Sequence, residues 1–257
     1  MRNGENLREA LRGPAPLIFT FLMIPRVEVI EMLAQAGFDG VIIDLEHGPM
    51  TPSDLPGLSA AARGAGIFAI ARVRDGGEPE IGNFLDTGVD GVLVPHVSTA
   101  AQASAVVAAG RFPPAGERSL NPYVRAVRYG IDEPSARDIA NARQAILVMV
   151  EGGEGLENLE AISDVDDLDG VFVGPVDLSA ALGHPGQPEH PKVVETVRTI
   201  FERLRERKIA SGIYAPTVEA AARWRAAGAA LIAMSADSAM IQRGFVAMRT
   251  ELGDGSA

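Results

Sequence analysis

GFDGVIIDLEHGP, residues Gly37 to Pro49, passes from an apolar β-branched run straight into ionisable side chains. Val41, Ile42 and Ile43, bounded by glycine, have the composition of a strand buried on both faces of a parallel sheet. Asp44, Glu46 and His47 follow at once. In a β/α barrel the C-terminal ends of the strands carry the active site, so this junction reads as catalytic, against the alternative of a polar surface turn. The unit echoes along the chain: AGFDGVII, TGVDGVLV, DLDGVFV and AGAALIAM each lead from a helix end through a short turn into an apolar strand.

Outward from that stretch, apolar runs predict further strands at Leu17–Leu22, Ile67–Val73, Gly91–Val94, Ala145–Val150, Gly170–Val173, Ile209–Tyr214 and Ala230–Met234. Helical spacing predicts helices at Arg26–Ala36, Ser53–Arg63, Glu78–Thr87, Thr99–Ala109, Lys192–Arg207 and Val218–Ala227, and one carrying Leu156, Leu159 and Ile162. A short helical lead, Glu5–Arg12, precedes them, an additional helix, Ser238–Leu252, follows, and Gly253–Ala257 is expected to fray. Residues Arg111–Gly130 are the least regular. Strands alternating with helices imply an α/β fold, a single (β/α)8 TIM barrel over residues 1–257 with an extra C-terminal helix. A doubly wound open sheet is the alternative, but no GxGxxG follows any strand.

The chain has 257 residues, the length of one barrel of about 250. With 47% apolar residues it can bury a large core without staples. Cysteine is absent, which excludes thiolate nucleophiles, zinc thiolate sites and disulfides and is compatible with a reducing cytoplasm, the expected location. A formal charge of −11 argues against nucleic acid or anionic membrane as a partner. Pro16–Pro25, PLIFTFLMIP, is far shorter than the ~20 residues that span a bilayer and reads as the first barrel strand.

The predicted strand ends would bring Asp44, Glu46, His47, Arg72, Glu151 and Asp177 to one mouth. Glu151 could instead cap the helix after it, and Asp177 could be the N-cap of DLSAAL. Together they offer two carboxylates, as hard divalent cations require, with positions left for water and substrate oxygens. Arg72 would supply a fixed cation suited to carboxylate or enolate oxygens, or would simply pair with Asp44 or Asp75. Asp86 sits near a helix C-terminus, where the macrodipole disfavours a negative charge; a protonatable imidazole such as His47 would stabilise it and gain an oriented general base. His96 is a weaker candidate, and His184 and His190 read as structural. Only Lys192 and Lys208 exist, neither at a C-terminal strand end, so Schiff-base chemistry has no candidate nucleophile.

IDLEHGP at Ile43–Pro49, ARV at Ala71–Val73, FLDTG at Phe84–Gly88, LVPHV at Leu93–Val97, RFPPAGERS at Arg111–Ser119, VMVEGGEGLENL at Val148–Leu159 and GVFVGPVDLSAALG at Gly170–Gly183 run through nearly the whole chain. In these the sequence resembles the HpcH/HpaI class II pyruvate aldolases, which include 4-hydroxy-2-oxoheptanedioate and 2-keto-3-deoxy sugar-acid aldolases. The resemblance implies a lyase of aromatic or sugar-acid catabolism that cleaves 4-hydroxy-2-oxoacids to pyruvate and an aldehyde through a metal-stabilised pyruvate enolate. By it, Glu151 and Asp177 ligate Mg²⁺, Mn²⁺ or Co²⁺, with Zn²⁺ a further candidate. His47, oriented by Asp86, is the base, Arg72 binds the pyruvate oxygens, and Gly174, Pro175, Val176 and Asp177 contact the carboxylate.

The resemblance also implies a homo-oligomer, domain-swapped dimers assembled into a hexamer, with the last helix packed on a neighbour. Three residues depart from the family pattern: Met149 where glutamine is common, Val176 where alanine is common, and Tyr214 where an aliphatic residue is common and where it would shape the acceptor pocket. Two other readings stay open. A malyl- or citramalyl-CoA lyase would need a basic nucleotide patch, for which Arg118, Arg125 and Arg128 are available. A catalytically silent barrel would bind a small acid without turnover.

Overall fold

The computed structural model describes residues 6–74, 78–131 and 135–253. Glu5, Asp75 and residues 254–257, on which three of the expectations above fall, lie outside them. Eight parallel strands close into a barrel in chain order: β1 Leu17–Leu22, β2 Gly40–Asp44, β3 Phe68–Arg72, β4 Gly91–Val94, β5 Ala145–Val150, β6 Gly170–Val173, β7 Ala210–Ala215 and β8 Leu231–Ala236. β1 pairs with β8, from Leu17 opposite Leu231, so no strand keeps a free edge. The open doubly wound alternative is thereby excluded.

Side-chain alternation along each strand sorts residues between two apolar layers. Val41, Ile43, Ala69, Ala71, Val92, Val94, Ile146, Val148, Val171 and Val173 pack outward under the helices. Phe19, Phe21, Ile42, Phe68, Ile70, Leu93, Leu147, Met149 and Phe172 fill the barrel. Leu7, Ala10 and Leu11 join this inner cluster, so the short helix Leu7–Ala10 plugs the N-terminal end of the barrel. It is tied there by Arg8, whose Nε donates to Asp169 Oδ1 at 2.6 Å. Asp169 also accepts from Arg111 Nη2 at 2.5 Å and from the Ile146 N–H at 2.8 Å. Two acceptor oxygens thus join the plug, the loop after the fourth strand-helix unit and β5.

The helices largely follow the predicted spacing, with two differences. The helix around Leu156 is two short ones, Gly153–Glu157 and Leu159–Ser163, broken at Asn158, whose side chain turns away to donate to the Ser98 carbonyl at 2.9 Å. A helix at Ser135–Arg143, between the irregular segment and β5, had no expectation in the sequence; it buries only Ala136 and Ala140. The last helix, Asp237–Glu251, buries one residue, Asp237, and leaves Phe245, Val246 and Met248 exposed. No helix among the described residues is long and apolar enough to cross a membrane.

Candidate active site

The strand register builds the site. Asp44 and Arg72 are Cα partners at the C-terminal ends of β2 and β3, and both follow the inward parity of Ile42 and Ile70. Their side chains therefore meet: Arg72 Nε donates to Asp44 Oδ1 at 3.0 Å and Nη2 to Oδ2 at 2.6 Å. Glu46 Oε2 lies 2.9 Å from Arg72 Nη1. The guanidinium also stacks 4.7 Å over the Phe21 ring. Buried and held by two carboxylates and a ring, Arg72 has one orientation, which is what a planar cation needs to present donors to an oxyanion. The ion pair expected as its alternative role is present, formed with Asp44.

On the next strands, His96 follows β4 with a left-handed backbone (φ 59°). Its Nε2 is 3.0 Å from Glu46 Oε1 and its Nδ1 2.7 Å from Glu151 Oε1. Its backbone N–H donates to the same Glu151 oxygen at 3.1 Å. Both ring nitrogens of His96 therefore face a carboxylate, and the imidazole bridges Glu46 and Glu151. Glu151 does not cap the following helix, whose N-cap is Gly152 without a side-chain bond. Nor is Asp177 an N-cap: Gly174 holds that position, and Asp177 sits exposed in the first turn of Pro175–Ala181. Burial raises the Glu151 carboxyl above the ordinary range; His96 opposes this, while Asp177 and Glu46 add repulsion.

His47 is exposed beside this cluster. Its backbone N–H donates to Asp44 Oδ1 at 3.1 Å, and its Nε2 stands 3.9 Å from Glu46 Oε2. Asp86 does not orient it within one chain. The helix Glu78–Asp86 starts near the mouth and runs back to the N-terminal end of the barrel, so Asp86 finishes at the far end. There Arg118 Nη2 donates to it at 2.5 Å. A cation does answer the helix dipole, but it is a guanidinium from the irregular segment.

Tyr214, the penultimate residue of β7, lies on the inward face, its ring 6.0 Å from that of Phe21 in an edge contact. With Pro175, Val176, Pro188 and Trp224 it lines a side cavity of about 200 Å³ beside the mouth. Met149 is buried in the barrel below Glu151. Asp44 and Glu46 reach the mouth as the strand ends predict, whereas His96, a weaker candidate in the sequence, stands between Glu46 and Glu151.

Two observations bear on a divalent cation. A Cβ on Gly174 would lie 2.8 Å from Glu151 Oε2 and 3.0 Å from its Cβ, so the glycine leaves the carboxylate its space. The donors facing this point are carboxylates, hard ligands whose mutual repulsion a cation would relieve. Among the described residues no three His, Cys, Asp or Glu side chains form a ready cage; Asp177 lies close enough to Glu151 to repel its charge, so these two could share a cation.

Residues 17–243 match the HpcH/HpaI aldolase/citrate lyase family. A pyruvate aldolase of Rhizobium etli is 38% identical over 248 residues, covering 95% of this chain and 96% of the relative. A 2-keto-3-deoxy-L-rhamnonate aldolase of Escherichia coli is 37% identical over 232 residues, covering 90% and 86%. The crystal structure of an HpcH/HpaI aldolase/citrate lyase family protein from Burkholderia cenocepacia superposes with a TM-score of 0.90 at 32% identity, covering 96% of this chain and 99% of that one. With the barrel, the strand-end cluster and these relatives in agreement, the chain belongs to the HpcH/HpaI aldolase/citrate lyase family and is a carbon–carbon lyase.

Proposed function

We propose that the enzyme is a metal-dependent aldolase that reversibly cleaves 4-hydroxy-2-oxoacids to pyruvate and an aldehyde. The observation that carries this is a buried Arg72, fixed by Asp44 and Glu46 and linked through His96 to the Glu151 carboxylate cradled by Gly174. Glu151 and Asp177 would hold a divalent cation, with Mg²⁺, Mn²⁺ and Co²⁺ the candidates, which would supply Lewis-acid polarisation of the keto group. Arg72 presents its guanidinium to the oxygen that gains negative charge as the C3–C4 bond breaks. The first-turn N–H groups of Val176 and Asp177, without intrahelical partners, receive the pyruvate carboxylate.

His47, the exposed imidazole at the rim, takes the proton of the 4-hydroxyl as the aldehyde leaves; a proton returned to C3 completes pyruvate. In the aldol direction the same groups run in reverse. Tyr214 and Val176, which line the side cavity next to the pyruvate subsite, contact the acceptor aldehyde. The enzyme works as a homo-oligomer in which the helix Asp237–Glu251 packs its exposed Phe245, Val246 and Met248 on a second copy.

The CoA-lyase reading loses its support in this arrangement. Arg118 is engaged by Asp86, and Arg125 and Arg128 face the opposite end of the barrel from Glu151. Pyruvate release from a panel of 4-hydroxy-2-oxoacids, coupled to lactate dehydrogenase, tests the proposal. It is run with EDTA and with Mg²⁺, Mn²⁺ or Co²⁺ restored, beside Glu151→Ala and Asp177→Ala. Metal-dependent release that both variants lose is expected. Release that survives chelation would remove the cation from the mechanism, and none from any substrate would favour a silent barrel.

A further inference from the structure

A second cavity, of about 340 Å³, opens at the N-terminal end of the barrel, away from the catalytic mouth. It lies where β3, β4 and β5 begin, between the end of the helix Leu55–Ala65 and the helix Ser135–Arg143. Its volume falls in the range of small-ligand sites, roughly 300–1,000 Å³. Four guanidinium side chains line it: Arg63, Arg125, Arg128 and Arg143. They are four of 23 cationic residues in a chain of formal charge −11. Among the described residues one carboxylate lines it with them, Asp90, whose Oδ2 accepts the Ala69 N–H at 2.9 Å. Phe68 and Ile139 contribute apolar wall.

The arginines are placed by the fold. Arg63 Nη2 donates to the Gly88 carbonyl at 2.8 Å. Gly88 has φ +85°, and a Cβ there would fall 2.6 Å from Arg125 Cδ, so a glycine at this turn lets the Arg125 side chain lie across it. Arg143 is the last residue of its helix, where a cation suits the dipole. The guanidinium groups of Arg125 and Arg143 donate no hydrogen bond to any described residue, although each carries five N–H groups; Arg143 meets Asp90 only through its charge. A low-dielectric cleft of one sign concentrates counter-ions of the other.

We propose that this cavity is a binding site for a compact organic dianion, an oxyanion group of about two negative charges on a small apolar body. Phosphate monoesters and dicarboxylates share that chemistry, and guanidinium forks accept both. The site is separate from the catalytic cluster, so it holds a ligand other than the reacting oxoacid.

Isothermal titration of the intact enzyme with phenyl phosphate, phthalate and benzoate tests this on one common ring. Saturable binding of about one equivalent per chain is expected for one or both dianions, tighter by about tenfold or more than for singly charged benzoate. The tighter dianion names the class. Arg125→Ala/Arg143→Ala should weaken binding by about tenfold or more, Arg125→Lys/Arg143→Lys should retain most of it, and Asp177→Ala should leave it unchanged. Melting curves check that the variants fold. The proposal is overturned by the absence of saturable binding, by binding that the double alanine variant keeps, or by binding that Asp177→Ala removes. It is equally overturned if the double alanine variant changes the oligomeric mass while no ligand binds, which would assign these arginines to packing between copies.

Discussion

Asp44→Asn isolates the device that fixes Arg72. The Asp44 carboxylate is 2% exposed, takes both guanidinium bonds and also receives the backbone N–H groups of Glu46 and His47 at 3.1 Å. Removing one partner of a buried pair costs about 3–5 kcal/mol, because the other charge stays in low dielectric. Glu46 remains 2.9 Å from Arg72 Nη1, so the lower end applies, about 3 kcal/mol. At about 2.1 cal/mol/K of unfolding entropy per residue, 257 residues give about 0.5 kcal/mol/K, and the melting temperature should fall by about 6 °C. Thermal melts of the parent, Asp44→Asn, Arg72→Met and the double variant close a cycle, with a coupling of about 1 kcal/mol or more expected. The same Asp44→Asn protein should lose pyruvate release, since an unclamped Arg72 no longer meets the developing charge in a fixed orientation. A variant that melts within about 1 °C of the parent, or single changes that simply add, would refute the reasoning.

Gly174→Ala would place a methyl 2.8 Å from Glu151 Oε2 and is expected to weaken Mn²⁺ binding by about 10–100-fold with little change in melting; unaltered affinity would show that the carboxylate does not need the cradle. Burial lifts Asp90 above its ordinary 3.8, so the folded state holds that proton more tightly than the unfolded chain. Its contribution is then fully present below the unfolded value and is lost as pH rises through the folded one. Asp90→Asn, which keeps an acceptor for the Ala69 N–H, should flatten the decline of melting temperature above about pH 4, and an unchanged slope would point to another group. Phe245→Glu/Met248→Glu should shift the mass seen by light scattering to a smaller species with the circular dichroism spectrum retained; an unchanged mass would clear the last helix of any role in assembly.

What could be read from the sequence was what depends on short-range pattern. Val41–Ile43 running into Asp44 announces a buried strand and its catalytic end, and eight such runs alternating with helices, with no GxGxxG after any of them, point to a barrel ahead of an open sheet. Which parity faces inward becomes known only from the fold: with Ile42, Ile70 and Ala210 in the barrel, Asp44, Arg72 and Tyr214 follow them. What was not legible depends on where elements end in space. The macrodipole argument asks correctly for a cation beside Asp86, yet Arg118, 32 residues on, supplies it, because the helix carries Asp86 to the opposite end from His47. The helix Ser135–Arg143, SARDIANAR, rests on two alanines and has no apolar stripe to betray it. The arginines of the second cavity come from four separate positions with no common spacing, so only the folded chain assembles them.

Closure of β1 against β8 has a consequence for synthesis. Leu17 pairs with Leu231, and the plug residue Arg8 bonds Asp169, 161 positions later. A chain emerging from the ribosome N-terminus first therefore exposes one unpaired edge of β1, and keeps its first helix without a socket, until most of the protein has been made. Fast local pairings such as β2 with β3 can form early, but the ring is sealed only after translation has nearly finished. Over that interval the nascent barrel is an open sheet with apolar strands at its margin, the state in which a chaperone or a second nascent copy would meet it.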